Sequence, residues 1–479
     1  MTLAAGSFRD PSGNCFVFPD RVYRFLDANS AAVCEGFLQT NCARTFVASG
    51  RLISSKRLSL AETAALQDAQ QFKPLFAQHS ADAILEHERV PFASYPYEWP
   101  PEMLWEAARL TLELARVALA EGFGLKDATP YNVLYRGSNP VFVDVPSFER
   151  RDSGDPIWLA QGQFVRTFLL PLLANHRWGL ALAGIFITHR DGLEPEEVYR
   201  WCGVLERFTP KMLSLVSLPA WLKGKAKAEG ARLYDTRRMD NPEKARFIME
   251  SQLKRSERTL ESLQPQSKAG SEWSKYMAAH SYTGQAFAEK EKFVDEALAE
   301  IGPRRVLDVG ANTGHFSLRA ARMGVEVVAI DNDPACVGRI WAASSKEKLN
   351  VLPLVVDLSR PTPALGWRNS ECASFLERSR GGFDCVLMLA IVHHLLITER
   401  IPSNEILRLA SELTTAWLVI EFVGPQDEMF RQLTRGREAL HEGLSEIKFE
   451  EACAAYFDVV RSLPLTGKAR RMYLLKRKG

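Results

Sequence analysis

The tightest constraint in this chain is the segment Val306-Leu-Asp308-Val-Gly310-Ala-Asn312-Thr-Gly314-His315-Phe316. A short apolar run carries an acid near its end, a glycine-rich turn follows at once, and a helix-forming stretch begins behind it. Such an order puts a turn at the carboxyl end of a parallel strand, the edge at which open α/β sheets bind ligands. Glycine there permits tight turning and close approach of the backbone to a ligand. A dinucleotide fingerprint would need G-x-G-x-x-G and a pyrophosphate at the helix start. Here Asn312 stands at the second glycine position, and Asp308 suits a cationic group such as an ammonium better than an anion. The plain alternative is a strand-to-helix turn with no ligand.

From about Trp273 onward the grammar is consistent with that turn. Arg305–Val309, Glu326–Ile330, Val351–Val356, Phe383–Leu389 and Trp417–Val423 are short, nearly continuous apolar runs, as expected of strands buried on both faces of a parallel sheet. Helical stretches separate most of them, which gives repeated βα units. A helix around Glu289–Glu300 precedes them and stops at Gly302-Pro303. Phe457–Val460 and Arg471–Lys476, joined through Pro464 and Gly467, read as a closing hairpin. Two more strands end in acids. Asp331, with Asn332 beside it, follows the second strand about 20 residues beyond the glycine turn, where an acid can accept from both ribose hydroxyls. Asp357 follows the third, placed to accept from an adenine amino group while Leu358 packs on the ring. Three successive strands ending in carboxylates at one sheet edge argue for a ligand.

On these motifs the stretch from about Tyr282 to Lys476 resembles the class I S-adenosylmethionine-dependent methyltransferase superfamily. The resemblance implies a seven-stranded Rossmann-like α/β sheet with an antiparallel last strand, and S-adenosyl-L-methionine as cofactor. Carried over by motif, Asp308, Gly310 and Gly314 would line the methionine part, with Asn312 where glycine is commoner. Asp331 and Asn332 would hold the ribose, and Asp357 and Leu358 the adenine. The fourth strand, running through Leu389-Ala-Ile-Val-His393-His394, would bring Leu389 to the cofactor and face the methyl acceptor.

Methyl transfer from a sulfonium is an in-line displacement, so alignment and exclusion of water supply much of its rate. A histidine near neutral pKa suits a base for an oxygen or nitrogen acceptor, which makes His393 and His394 the catalytic candidates. The alternative is that they cap the strand or bond within the core. His315 and Glu421 are further polar residues on the same edge. Leu354-Val-Val-Asp-Leu-Ser-Arg-Pro361, Leu365-Gly-Trp-Arg-Asn369 and Leu389-Ala-Ile-Val-His-His-Leu395 resemble rhizobial host-specific nodulation methyltransferase-like proteins. That resemblance implies a small-molecule or saccharide-type signal precursor as acceptor. A non-catalytic, cofactor-binding regulatory protein is the competing reading.

Residues 1–220 read as a separate α+β domain. Asp127 and Asn132 stand in D-x-x-x-x-N spacing, and Asp144 ends the apolar run that follows. The pattern resembles the catalytic loop and metal-binding acid of aminoglycoside-phosphotransferase-type kinases, with Glu102–Glu121 as the preceding helix and a hairpin over Asn14–Phe18 and Arg21–Leu26. It implies Asp127 as base, Asn132 and Asp144 as magnesium ligands, and Mg-ATP as a second cofactor. No G-x-G-x-x-G loop precedes these residues, and Lys56 is the one candidate for the usual strand lysine. The domain therefore reads as a degenerate kinase-like lobe used for recognition. A bifunctional kinase–methyltransferase is the rival, and an Asp-initiated turn the simplest local account.

Residues 221–272 form a charged helical connector, and 273–479 the methyltransferase domain. The net charge is only +2, and the basic residues of the connector alternate with acids and lack interleaved aromatics, so nothing points to nucleic acid. Eight scattered cysteines without a CxxC pair suggest neither a disulfide framework nor a metal site. No signal peptide is visible, and the apolar stretch Phe168–Ile187 is broken by Pro171, Asn175, His176 and Arg177. A buried helix, no membrane association and a cytoplasmic protein are expected. Oligomeric state is not legible.

Overall fold

The computed structural model describes residues 2–3, 13–222, 238–265, 284–436 and 443–479. The expected domain start at Trp273, the start of the family resemblance at Tyr282, and the connector over 223–237 and 266–272 lie outside the described residues. The chain divides into two units. One comprises Met1–Tyr135, Asn139–Pro265 and Leu365–Cys372; the other comprises Arg136–Ser138, Gln266–Ala364 and Ala373–Gly479.

In the first unit, strands β1 (Thr2–Leu3), β2 (Gly13–Val17), β3 (Arg21–Leu26), β4 (Ser55–Arg57) and β5 (Ala83–Glu88) form one antiparallel sheet in the order β1-β2-β3-β5-β4. The expected hairpin is β2–β3. Pro101–Ala120 is a helix because proline starts it, where no N–H is needed, and its apolar residues recur at helical spacing. Met103, Leu104, Ala107, Leu110, Leu114 and Ala118 are all buried. Four short strands follow, β6 (Phe123–Leu125), β7 (Val133–Arg136), β8 (Asn139–Phe142) and β9 (Phe148–Arg150), pairing as β6 with β9 and β7 with β8. The apolar stretch is two helices, Leu170–Trp178 and Leu182–Thr188, separated at Gly179 in the left-handed region. Among the described residues no helix is long and apolar enough to cross a membrane. The charged stretch contains one described helix, Pro242–Glu261, capped by Asn241 and burying Ala245, Met249, Leu253 and Leu260; it belongs to the first unit.

The second unit is built on seven strands: β10 (Arg305–Val309), β11 (Glu326–Asp331), β12 (Val351–Val355), β13 (Phe383–Met388), β14 (Thr414–Val423), β15 (Phe457–Pro464) and β16 (Arg470–Arg477). Their order is β12-β11-β10-β13-β14-β16-β15. β10 to β14 run parallel, and β16 lies antiparallel to both β14 and β15, as expected of the last strand. Val306, Leu307 and Val309 are almost wholly buried, at about 1.5–3 kcal/mol each relative to exposure, so packing on both faces fixes β10. One expectation is corrected here. The fourth strand ends at Met388, and Ala390 adopts φ 56, so His393 and His394 lie on a short helix, Val392–Ile397. The left-handed turn at Ala390 breaks the strand where continuous apolar character gave no stop signal.

Candidate functional site

The carboxyl ends of β10, β11, β12 and β13 open on a cavity of about 350 Å³, within the size range of small-molecule sites. Seven of the nine cofactor-binding candidates line it: Asp308, Gly310, Asn312, Asp331, Asn332, Asp357 and Leu389. Gly314 and Leu358 do not. Gly314 has φ 83, and a Cβ there would lie 2.8 Å from the Ile340 side chain, so this glycine lets two helices pack. Gly310 has φ 70 and faces Ile391, which a Cβ would meet at 3.1 Å. The amides of Gly310 and Ala311 both donate to the Ile330 carbonyl, at 2.9 and 3.0 Å, which ties the turn to β11. Asn312 takes φ 51, a conformation asparagine tolerates better than most side chains.

The three acids are held differently. Asp308 is 3% exposed and accepts from Ser317 Oγ at 2.5 Å. Burial pushes its carboxyl up to about 6, against the Ser317 bond and the nearby Lys290 ammonium. Asp331 accepts from the Asn312 amide at 2.8 Å and the Asp333 amide at 2.9 Å, so it fixes the glycine turn as well as facing the cavity. Burial raises its carboxyl despite those bonds. Asp357 accepts from Ser359 Oγ at 2.6 Å and from Arg360 at 2.9 Å. Burial works to raise it, but these bonds outweigh burial and hold it below the usual carboxylate range. Together they present acceptor oxygens in a partly desolvated space, matched to a ligand rich in N–H and O–H donors.

Of the two histidines, only His394 lines the cavity. Burial, and then Arg470, lowers its pKa, so its imidazole is neutral at pH 7. His393 is fully buried, neither ring nitrogen has a hydrogen-bond partner, and burial lowers its pKa far below the usual histidine value. It is shut away from the cavity. His315 lines the wall with Nε2 2.8 Å from Glu291.

Of the buried charged cluster behind this site, sequence reasoning singled out Glu421 and missed Lys290, Asp427 and Arg470. Lys290 lines the cavity and places Nζ 2.7 Å from Glu421. Arg470 approaches Glu421 at 3.5 Å and forms two bonds to Asp427, at 2.7 and 3.0 Å. All four side chains are at most 4% exposed. The signal was present for Lys290, which sits in the buried stripe Ala286, Lys290, Phe293, Val294, Ala297 of its helix. A lysine at a core position of an amphipathic helix is a buried charge in search of a partner.

In the first unit, Asn132 and Asp144 meet through Ser147, and Asp127 reaches Asn132 through its backbone carbonyl. Asn132 Nδ2 donates to the Asp127 carbonyl at 3.4 Å and to Ser147 Oγ at 3.0 Å, and Ser147 Oγ donates to Asp144. Arg24 on β3 pairs with Asp144 at 2.8 Å. Lys56 lies elsewhere, exposed and 3.0 Å from Glu62. The cation at Asp144 is therefore Arg24, which the search for a lysine overlooked.

A seven-stranded sheet with its last strand antiparallel, and acids gathered at one edge, defines the second unit as an S-adenosylmethionine-dependent methyltransferase. A family model described as "Methyltransferase domain" matches residues 282–443. The chain is 32% identical over 475 residues to nodulation protein NoeA of Rhizobium meliloti (strain 1021), covering 99% of this chain and 96% of that one. The chain belongs to the NoeA family. Solved structures with similarity include N-methyltransferase NodS of Bradyrhizobium japonicum with S-adenosyl-L-homocysteine (11% identity, 44% of this chain and all of that one, TM-score 0.31). The bifunctional kinase-methyltransferase WbdD also matches, at 18% identity over 42% of this chain and 41% of its own, with a TM-score of 0.31.

Proposed function

We propose that the 350 Å³ cavity binds S-adenosyl-L-methionine and that the chain transfers its methyl group to an oxygen or nitrogen atom of a small-molecule or saccharide-type acceptor. In this reading Asp308 faces the methionine ammonium, Asp331 accepts from the ribose hydroxyls, and Asp357 lies at the adenine end. Gly310 and Asn312 bring the backbone close to the ligand, and Leu389 supplies an apolar contact. The observation that carries the reading is that Asp308, Asp331 and Asp357, from three separate strand ends, line one cavity. Asp357 already takes two donors on each oxygen, from Ser359 and from the exposed Arg360, so it accepts from a ligand when Arg360 gives up its place.

Attack on the methyl carbon breaks its bond to sulfur, and the acceptor then loses its proton. His394, neutral and at the cavity wall, is placed to receive that proton. Lys290 and the ion pairs behind it supply a fixed field with no water to reorganise. The acceptor class is supported by kinship with a nodulation protein, and a role in making a nodulation signal follows as part of this proposal.

Calorimetry with S-adenosylmethionine tests the cofactor reading. Asp331→Ala removes two ribose acceptors and an anchor of the glycine turn, and affinity should fall about a hundredfold or more. Equal binding by the variant would refute the ribose role, and no binding by the wild type would refute the cofactor site. Radiolabelled methyl transfer to a panel of saccharides and of small hydroxyl- and amine-bearing molecules tests the acceptor class. No labelled product from any of them, by protein that binds the cofactor, would refute it.

A further inference from the structure

The cofactor reading leaves one charged pair at the end of β12 without a role. Asp357 has both carboxylate oxygens engaged. Oδ1 accepts from the Ser359 amide at 2.9 Å and from Ser359 Oγ at 2.6 Å. Oδ2 accepts from Arg360 Nε at 3.1 Å and from Arg360 Nη2 at 2.9 Å. These donors differ in how firmly they are held. The Ser359 amide belongs to the same tight turn, whereas the Arg360 side chain is 73% exposed. A guanidinium that stays hydrated in either position leaves such a partner at small cost.

A second anion stands within reach of the same nitrogen. Glu399 Oε1 lies 3.6 Å from Arg360 Nη2, so less than an ångström of travel brings the two into hydrogen-bond range. Glu399 lines the cavity, as Asp357 does. Its backbone is fixed just past the short helix Val392–Ile397. The Glu399 amide donates to the His394 carbonyl at 3.2 Å, and Arg400 turns the chain beyond it with φ 57. Among the described residues Arg360 is the one cation at ion-pair distance from Glu399. One exposed cation is therefore shared by two anchored carboxylates on the wall of one cavity.

We propose that Arg360 and Glu399 act as an exchange device for the cofactor's base, in which an amino group donating to Asp357 Oδ2 displaces Arg360 and Glu399 receives it. The inference rests on the S-adenosylmethionine reading above. Through the exchange Asp357 trades a guanidinium donor for an N–H, and Arg360 trades one carboxylate for another, so no charge is left without a partner. A base with hydrogen in place of the amino group has nothing to give Asp357, and Arg360 keeps its place. The site thereby rewards the amino group and penalises its absence, as sites built around a specific donor do. Glu399 is a positioning residue, acting on the cofactor through Arg360. Without it the displaced guanidinium has no second anion, and Arg360 competes with every ligand for Asp357.

The test is titration calorimetry of the full chain with S-adenosylhomocysteine, and with its analogue bearing hydrogen in place of the adenine amino group. Wild type is compared with Glu399→Gln, Arg360→Ala and the double variant, each checked for folding by thermal unfolding. Glu399→Gln should weaken S-adenosylhomocysteine about three- to tenfold. Arg360→Ala, with nothing to displace, should bind it at least as tightly as wild type. The double variant should match Arg360→Ala, because Glu399 matters only while the arginine is present. The loss in Glu399→Gln should shrink at about 1 M salt, where exposed charges are screened, and should be absent with the analogue. Undiminished binding by Glu399→Gln would overturn the proposal. So would weaker binding by Arg360→Ala, or a Glu399→Gln loss of the same size with and without the arginine. Failure of folded wild type to bind S-adenosylhomocysteine at all would remove the cofactor reading itself, and the exchange with it.

Discussion

Replacing Asp308 with asparagine should make the protein more stable and a worse cofactor binder at once. The carboxyl is 3% exposed and titrates at about 6, against an ordinary value of 3.8. At 1.36 kcal/mol per pH unit, that interval corresponds to about 3 kcal/mol by which ionised Asp308 weakens the native state near neutral pH. The folded pKa lies above the unfolded one, so the favourable contribution is complete below about 4 and is lost as pH rises through about 6. Asparagine has no proton to lose and can still accept from Ser317 through its carbonyl. Wild type should thus lose up to about 3 kcal/mol more stability than Asp308→Asn between pH 4 and pH 7. Urea unfolding of both proteins at both pH values, followed by hydrogen exchange of the β10 amides, measures this difference of differences. In the same variant, losing a charge-assisted bond to the methionine ammonium should weaken S-adenosylmethionine about ten- to a hundredfold. A variant less stable than wild type at pH 7, with its affinity intact, would refute the assignment of Asp308 as a strained binding group.

Other perturbations separate the remaining roles. Glu421→Gln leaves Lys290 and Arg470 buried with one anion fewer and should cost about 3–5 kcal/mol in chemical denaturation, far more than an exposed pair would. His394→Phe should lower turnover about a hundredfold or more if this imidazole takes the acceptor proton, with cofactor affinity in calorimetry unchanged. His393→Leu removes two buried nitrogens without partners, so melting temperature should hold or rise. Gly314→Ala places a Cβ 2.8 Å from Ile340 at φ 83 and should cost about 1–3 kcal/mol, read as a lower urea midpoint.

Much of the second unit was legible in the linear chain because its signals are local. Five buried parallel strands each announce themselves as an apolar run, and the acids at the ends of the first three are adjacent in sequence to the strands that position them. That proximity is why Asp308, Gly310, Asn312, Asp331 and Asp357 could be placed at a common edge from their order alone. Gly314 was mistaken for a lining residue because a conformational need and a packing need both select glycine. His393 and His394 were read as equivalent because a left-handed residue at Ala390, invisible in composition, turns the chain into a helix and sends one ring inward.

The sequence by itself determined the alternation of strand and helix, the glycine turn and the carboxylates at strand ends, since each is set by neighbours a few residues away. Only the tertiary structure decided which charges meet. Lys290 and Glu421 are 131 residues apart in the chain, and Arg470 lies beyond both, yet they share one buried space. Arg24 likewise finds Asp144 across the first unit. Such partners are chosen by packing, which brings distant charges into a medium where an unpaired one is too costly to keep, and no local pattern encodes that choice.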